Sequence, residues 1–254
     1  MAQLTILHTS DLHNKLSKPL ASNLRDLKSQ YSNSLMLDSG DAIWAGNIFW
    51  RPGGEPILDM MNSVPYDAMC MGNREYHFLS KGLIEKTSRA NFPILSANLR
   101  STNPACINLV DEPLFRPFSG NKESVTIDVG VRVTIFGLTV PCITENMRIK
   151  RLAHQYFIDP IEAAADLAPG LRAECDLLIA LTHIGLDKDR ELARAAPDID
   201  IILGGHTHTV EEAEIDNTKI FHSGAYAKSV RKIEVELDAG AVTLTSELIP
   251  MVEA

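Results

Sequence analysis

Five short apolar runs in this chain each stop at residues that can hold a metal ion or turn the backbone sharply. QLTILH (3–8) leads into Asp11-Leu12-His13, SLML (34–37) into Gly40-Asp41 and YDAMCM (66–71) into Gly72-Asn73. DLLIAL (176–181) leads into Thr182-His183, and the run 199–203 into Gly204-Gly205-His206-Thr207-His208. With a sixth run, VRVTIFGL (131–138), these have the length and apolar pattern of strands. Helix-patterned stretches lie between them at 20–30, 55–63, 78–90 and 187–196. A strand-then-helix order predicts a layered α/β domain. Taken singly, Gly-Asp or Gly-Asn is an ordinary turn. In an α/β sheet, however, the loops at the carboxyl ends of the strands converge on one crevice, so five ligand-bearing ends favour one shared site.

The rest of the chain is less sharply patterned. Residues 159–173, DPIEAAADLAPGLRA, start as a helix with Asp159 as cap and Pro160 first inside, and Pro169-Gly170 is expected to kink or end it. The tail reads as successive strands (218–224, 229–238 and 241–249) with turns at Gly224 and Ala239-Gly240, predicting a closing antiparallel sheet. Segment 98–124 is loop-rich. No repeat, low-complexity tract or flexible linker marks a boundary, so residues 1–254 are expected to form one domain.

Composition narrows the function classes. A formal net charge of −9 repels polyphosphate backbones and argues against extended nucleic-acid partners, leaving room for a small phosphorylated ligand in a local positive pocket. No run approaches the roughly 18 apolar residues of a membrane span. The start, MAQLTILHTSDLH, lacks the basic and apolar regions of a signal peptide, and Cys70, Cys106, Cys142 and Cys175 show no CxxC spacing. Those features predict a cytoplasmic chain with reduced thiols and no membrane partner.

The sharpest motif is the pair of histidines one residue apart after a double glycine, since both can face one side where the backbone permits close approach. Asp11 and His13 are likewise two apart, so that in extended chain both point the same way. Seven groups, Asp11, His13, Asp41, Asn73, His183, His206 and His208, exceed the needs of one tetrahedral ion and suit two ions sharing a carboxylate, for which Asp41 is the choice. Two divalent ions bring +4 and two carboxylates return −2, leaving about +2 to attract a phosphate dianion or hydroxide. Manganese, iron, zinc and cobalt all accept such ligands.

The order DLH, GD, GN, TH, GGHTH resembles the signature of the calcineurin-like metallophosphoesterases. MMNSVPYDAMCMGN, NFPILSANL, LTHIGLDKDRELARAAPDIDIILGGHTHT and HSGAYAKSVRKIEVE are similar to the catalytic domain of 5'-nucleotidases within that family. The resemblance implies an α/β fold that is a four-layer αββα sandwich of two mixed sheets flanked by helices. It also implies a dinuclear centre, one metal on Asp11, His13, Asp41 and His208 and the other on Asp41, Asn73, His183 and His206. The activity implied is hydrolysis of a small phosphomonoester by metal-bound hydroxide. A phosphodiesterase acting on cyclic or small dinucleotides, or a binding scaffold with weakened turnover, are the alternatives.

Two departures qualify the inheritance. The nucleotidase branch carries GNHEFD, whose His and Asp form a dyad beside the leaving group, whereas this chain reads GNREYH, with Arg74 and His77 at those positions. An arginine does not release its proton near neutrality, but its fork grips phosphate oxygens, so a clamp replaces an acid. His77 is of the residue type that exchanges protons near neutral pH and is the candidate replacement acid. The chain is also expected to lack the C-terminal domain that supplies nucleoside specificity in 5'-nucleotidases. His8 and His222 read as core or supporting groups, Glu75 and Asp38 as carboxylates that orient histidines or occupy exposed turns, and Trp44, Phe49 and Trp50 as a substrate mouth or loop packing. His154 has no assigned place.

Overall fold

The computed structural model describes residues 2–101, 123–153, 155–238 and 241–252, and its architecture follows from side chains that alternate faces along short strands. Among the described residues the chain runs β1 (Ala2–Thr9), α1 (Lys18–Lys28), β2 (Ser34–Asp38), α2 (Ile57–Ser63), β3 (Ala68–Cys70) and α3 (Ser80–Thr87). There follow β4 (Ile94–Leu95), β5 (Leu99–Ser101), β6 (Ser124–Asp128), β7 (Arg132–Thr139), α4 (Lys150–Ala153), β8 (Gln155–Phe157) and α5 (Pro160–Arg172). The remainder is β9 (Leu177–His183), α6 (Leu186–Ala195), β10 (Ile201–Gly204), β11 (Val210–Ile215), β12 (Thr218–Ser223), β13 (Ser229–Asp238) and β14 (Ala241–Pro250). No helix among the described residues is long and apolar enough to cross a membrane.

Two six-stranded mixed sheets result. The first has the order β14-β13-β1-β2-β3-β4, parallel from β1 to β4, with β13 and β14 added antiparallel. The second has the order β11-β12-β10-β9-β7-β6, parallel through its four central strands, with antiparallel edges. Alternate residues fill three apolar layers. Leu4, Ile6, Leu35, Leu37 and Cys70 from the first sheet meet Ile135, Ile179, Leu181, Leu203 and Phe221 from the second. The residues between them point outward, Leu7, Met36 and Met69 beneath α1 and α2, and Phe136, Leu178, Ala180 and Ile202 beneath α5 and α6. The order helix, sheet, sheet, helix is therefore written in the period-2 pattern of the strands.

Two expectations need correction. Helix α5 runs through Pro169 to Arg172 instead of ending at the proline. Its inner face of Pro160, Ala163, Ala164 and Ala168 is buried, whereas Pro169 and Ala165 are exposed, so the carbonyl that loses its amide partner is open to water. The tail does not close as one antiparallel sheet. β12 joins the second sheet beside β10, while β13 joins the first beside β1, and Phe221 and Ile233 enter the same central layer from opposite sides. Segment 102–122, most of the stretch read as loop, and His154 lie outside the described residues.

The two sheets are in tight contact where β7 passes β4. A Cβ on Gly137 would run into the Leu95 backbone, so only glycine fits there. Gly137→Ala is expected to cost about 1–3 kcal/mol by overpacking. Urea unfolding checks this, and an unchanged midpoint would show that the sheets can separate freely at this point.

Candidate metal centre

The parallel pairing of β1 and β2 continues past the strand ends. Asp11, His13 and Asn14 donate their amides to the carbonyls of Gly40, Asp41 and Ala42 at 3.0, 3.0 and 2.8 Å. Leu12, Ala42 and Ile43 are buried in the outer apolar layer and anchor both loops. The side chains of Asp11, His13 and Asp41 are thereby turned to the opposite side. Asp11 and His13 share a site as the sequence suggested, but in left-handed conformation (φ 51° and 45°) rather than in extended chain. Asp41, His206 and His208 are also left-handed, at 54°, 77° and 57°. Such backbone costs a non-glycine residue about 1–2 kcal/mol and concentrates at functional sites.

The third strand end is fixed by glycine. A Cβ on Gly40 would strike the Gly72 backbone, and one on Gly72 would strike Asp41, so the two loops touch main chain to main chain. Asn73 follows, flanked by Gly72 against Asp41 and by Arg74, whose amide donates to Asp41 Oδ1 at 2.7 Å. From the second sheet, His183 closes β9, and His206 and His208 follow β10.

These loops bring five of the seven predicted ligands into two overlapping groups, with His206 beside His183 and Asn73 beside Asp41. Ligand atoms of Asp11, His13 and His208 lie within 4.8 Å of one another, as do those of Asp11, Asp41 and His183. His13 Nε2 and His208 Nε2 are 3.1 Å apart, and His208 Nε2 is 3.3 Å from Asp11 Oδ1. His183 Nε2 is 3.5 Å from Asp41 Oδ1 and 3.3 Å from His206 Nδ1. In these groups Asp11 is the shared carboxylate, where the sequence pointed to Asp41.

The donor set fits divalent cations. Asp11 Oδ1, His13 Nδ1 and Asn73 Oδ1 are buried without hydrogen-bond partners among the described residues, an arrangement that costs about 1–3 kcal/mol per group unless another partner satisfies it. His183 Nδ1 lies 2.7 Å from the Ser39 carbonyl, which can only accept, so the ring donates there and leaves Nε2 facing the site. Burial opposes charge on that ring, yet the Asp41 carboxylate, aided by Asp11 and the Ser39 carbonyl, raises its pKa to about 9. Burial likewise opposes charge on Asp11, but His208 facing its Oδ1 and the nearby His183 hold its carboxyl below the usual range. Burial lowers His13 and His206. A cation competes directly with the proton at such nitrogens.

The remaining candidates separate clearly. Arg74 reaches the site: Nε lies 3.7 Å from Asp41 Oδ2, Nη1 donates to the Trp44 carbonyl at 2.9 Å, and the side chain is 34% exposed. Trp44, 55% exposed, stands edge-on to the His13 ring at 5.8 Å with the Arg74 guanidinium 5.7 Å over it, and so forms part of the mouth. His77 is placed elsewhere. Its buried ring packs against Trp50 and Phe78, Nδ1 accepts from the Leu79 amide at 3.0 Å, and none of its hydrogen-bond or ring partners among the described residues is a predicted ligand. Asp38 and Glu75 are fully buried, and among the described residues neither hydrogen-bonds a histidine predicted as a ligand. Asp38 takes the Thr9 hydroxyl and the Gly40 amide, and Glu75 takes the amides of Asp41, Ile43 and Gly72. His8 lies between Ser39 and Ser223, and His222 on Asp189, outside both ligand groups. Tyr226, inside the stretch HSGAYAKSVRKIEVE but given no role from the sequence, places its ring 5.3 Å from that of His13 and 5.1 Å from that of His208.

Comparison with known proteins agrees with this picture. The chain is 31% identical over 276 residues to the trifunctional nucleotide phosphoesterase protein YfkN of Bacillus subtilis (strain 168), covering 96% of this chain and 19% of that protein. It is 31% identical over 230 residues to the snake venom 5'-nucleotidase of Gloydius brevicauda, covering 82% and 37%. It thus spans well under half of either relative. The crystal structure of a 5'-nucleotidase precursor from Thermus thermophilus superposes with a TM-score of 0.79 at 24% identity, over 98% of this chain and 55% of that one. That of the calcineurin-like phosphoesterase YfkN from Bacillus subtilis superposes at 0.71 and 21%, over 98% and 91%. Both share the fold. The family described as calcineurin-like phosphoesterase matches residues 4–210, and the chain therefore belongs to it.

Proposed function

We propose that the chain hydrolyses a small phosphomonoester, a nucleotide being the first candidate, at a centre of two divalent ions. The observation that carries this is the pair of overlapping ligand groups, which share Asp11 and set Asp41 beside it at the ends of adjacent parallel strands. The names of the relatives supply the nucleotide. Asp11, His13 and His208 would hold one ion and Asn73, His183 and His206 the other, with Asp41 between them. Ions bound there neutralise phosphate oxygens and make a water nucleophilic at neutral pH.

The protein's own groups divide the remaining work. The Ser39 carbonyl fixes the His183 ring so that Nε2 stays toward the centre. The Arg74 guanidinium, tethered on one side by the Trp44 carbonyl, has its free edge for phosphate oxygens and stabilises charge that grows in the transition state. Protonation of the leaving group by His77 gains no support from the placement of that ring. A clamp without a nearby acid suits leaving groups that depart with little protonation. Cytoplasmic residence is part of the proposal, supported by the unpaired thiols of Cys70, Cys142 and Cys175. Export in a fractionation experiment would contradict it.

Hydrolysis assays on metal-loaded protein test the substrate class. p-Nitrophenyl phosphate is expected to turn over with higher kcat/KM than bis(p-nitrophenyl) phosphate, and the reverse order would favour the diesterase alternative. Metal-replete protein that hydrolyses neither would favour the binding scaffold. Arg74→Ala is expected to lose about 2–4 kcal/mol of transition-state stabilisation with unchanged metal content. Full activity in that variant would remove the clamp.

A further inference from the structure

Lys86 occupies a position in α3 where a lysine would ordinarily be solvated, yet its side chain is fully buried. Its ammonium reaches the carbonyls of Arg74 at 2.5 Å, Gly46 at 2.8 Å, Tyr76 at 3.2 Å and Ala45 at 3.5 Å. These acceptors belong to the loop after β2 and the loop after β3. Glu75 serves the same two loops with the opposite charge, accepting the amides of Gly72, Asp41 and Ile43 at 2.8, 2.9 and 3.2 Å. Arg74 is therefore pinned through both ends of its backbone, its amide on the Asp41 carboxylate and its carbonyl on the Lys86 ammonium. Its side chain adds a third tie between the loops through the Trp44 carbonyl.

We propose that Lys86 is a positioning residue for the phosphoesterase reaction, holding Arg74 and the Trp44–Gly46 turn in the arrangement that presents the guanidinium to the substrate phosphate. The proposal rests on the clamp role of Arg74. A burial cost is inherent in the device, because an ammonium taken out of water needs its N–H groups fully used, and carbonyls from two loops use them. Among the described residues the hydrogen-bond partners of the ammonium include no predicted metal ligand, so its loss is expected to misplace the clamp and leave the metal centre in place.

Burial lowers the Lys86 pKa to about 8, with Glu75, Glu55 and Asp41 opposing the shift and Arg74 adding to it. Deprotonation removes one donor from a group that serves several carbonyls. Because the folded-state value is depressed, the unfolded chain binds this proton more tightly, and Lys86 alone makes the fold more stable as pH rises from about 8 toward the usual lysine range. An alkaline fall in activity arising here is thus local loosening and not unfolding.

A double-mutant cycle on manganese-loaded protein, with kcat/KM on p-nitrophenyl phosphate as readout, tests the inference. Lys86→Met is expected to lose about tenfold or more with unchanged metal content, and the Lys86→Met/Arg74→Ala double variant is expected to fall within about twofold of Arg74→Ala alone. Wild-type activity in Lys86→Met, or losses that multiply in the double variant, would overturn it. If Lys86→Met does not fold, the pH profile decides: wild type is expected to show an alkaline limb near pH 8 that Arg74→Ala lacks, and the same limb in both would refute the coupling. Full activity in Arg74→Ala would instead bring down the clamp, and with it the need for a positioning residue.

Discussion

Two carboxylates buried side by side are the constraint on which the rest of this site depends. Asp11 and Asp41 are almost wholly out of water, on loops zipped together by three amide-to-carbonyl bonds. Like charges at such proximity repel strongly in a medium of low dielectric, and the arrangement is stable only with positive charge supplied close by. Four histidines and Arg74 surround the pair, and divalent ions are the partners whose charge and ligand preference match the set. The left-handed backbone at Asp11, His13, Asp41, His206 and His208 belongs to the same constraint, since it aims side chains where an ordinary strand end would not.

The scaffold carries that strain by rigidity from behind. Central strands of both sheets deliver ligands from their carboxyl ends, and three apolar layers fix the sheets against each other and against the helices. At the loops, polar groups take over. Asp38 and Glu75 hold amides and Lys86 holds carbonyls, so the loops after β2 and β3 are fixed by polar side chains out of solvent. That arrangement explains why carboxylates that could be read as helpers of the ligating histidines are instead bound to main chain.

Much of this was legible in the residues. The strand-ending motifs picked out side chains that the fold brings together, because metal chemistry restricts residue types and because strand ends in α/β sheets converge. Runs such as DLLIAL showed strands by their length and apolar pattern, and the structure adds which neighbour each one takes. The destination of β12 and β13 was not legible, since both strands read alike and the sheet each joins depends on long-range pairing. Pro169 misled because a local rule about helix breakers does not register which face of a helix meets water. The burial of Lys86 and His77 was invisible for a related reason: a lysine in a helix pattern and a histidine after a turn carry no mark of it. Arg74 stood out in the sequence by its departure from the nucleotidase motif, and the geometry sets it beside Asp41 as a clamp would require.

The central claim is that the overlapping ligand groups hold two ions per chain. Anomalous diffraction from crystals grown with manganese measures it directly, in position as well as number. Two peaks are predicted, one within bonding distance of Asp11, His13 and His208, the other of Asn73, His183 and His206, and both within reach of Asp41. A single peak, or a second one away from Asn73, His183 and His206, would contradict the account.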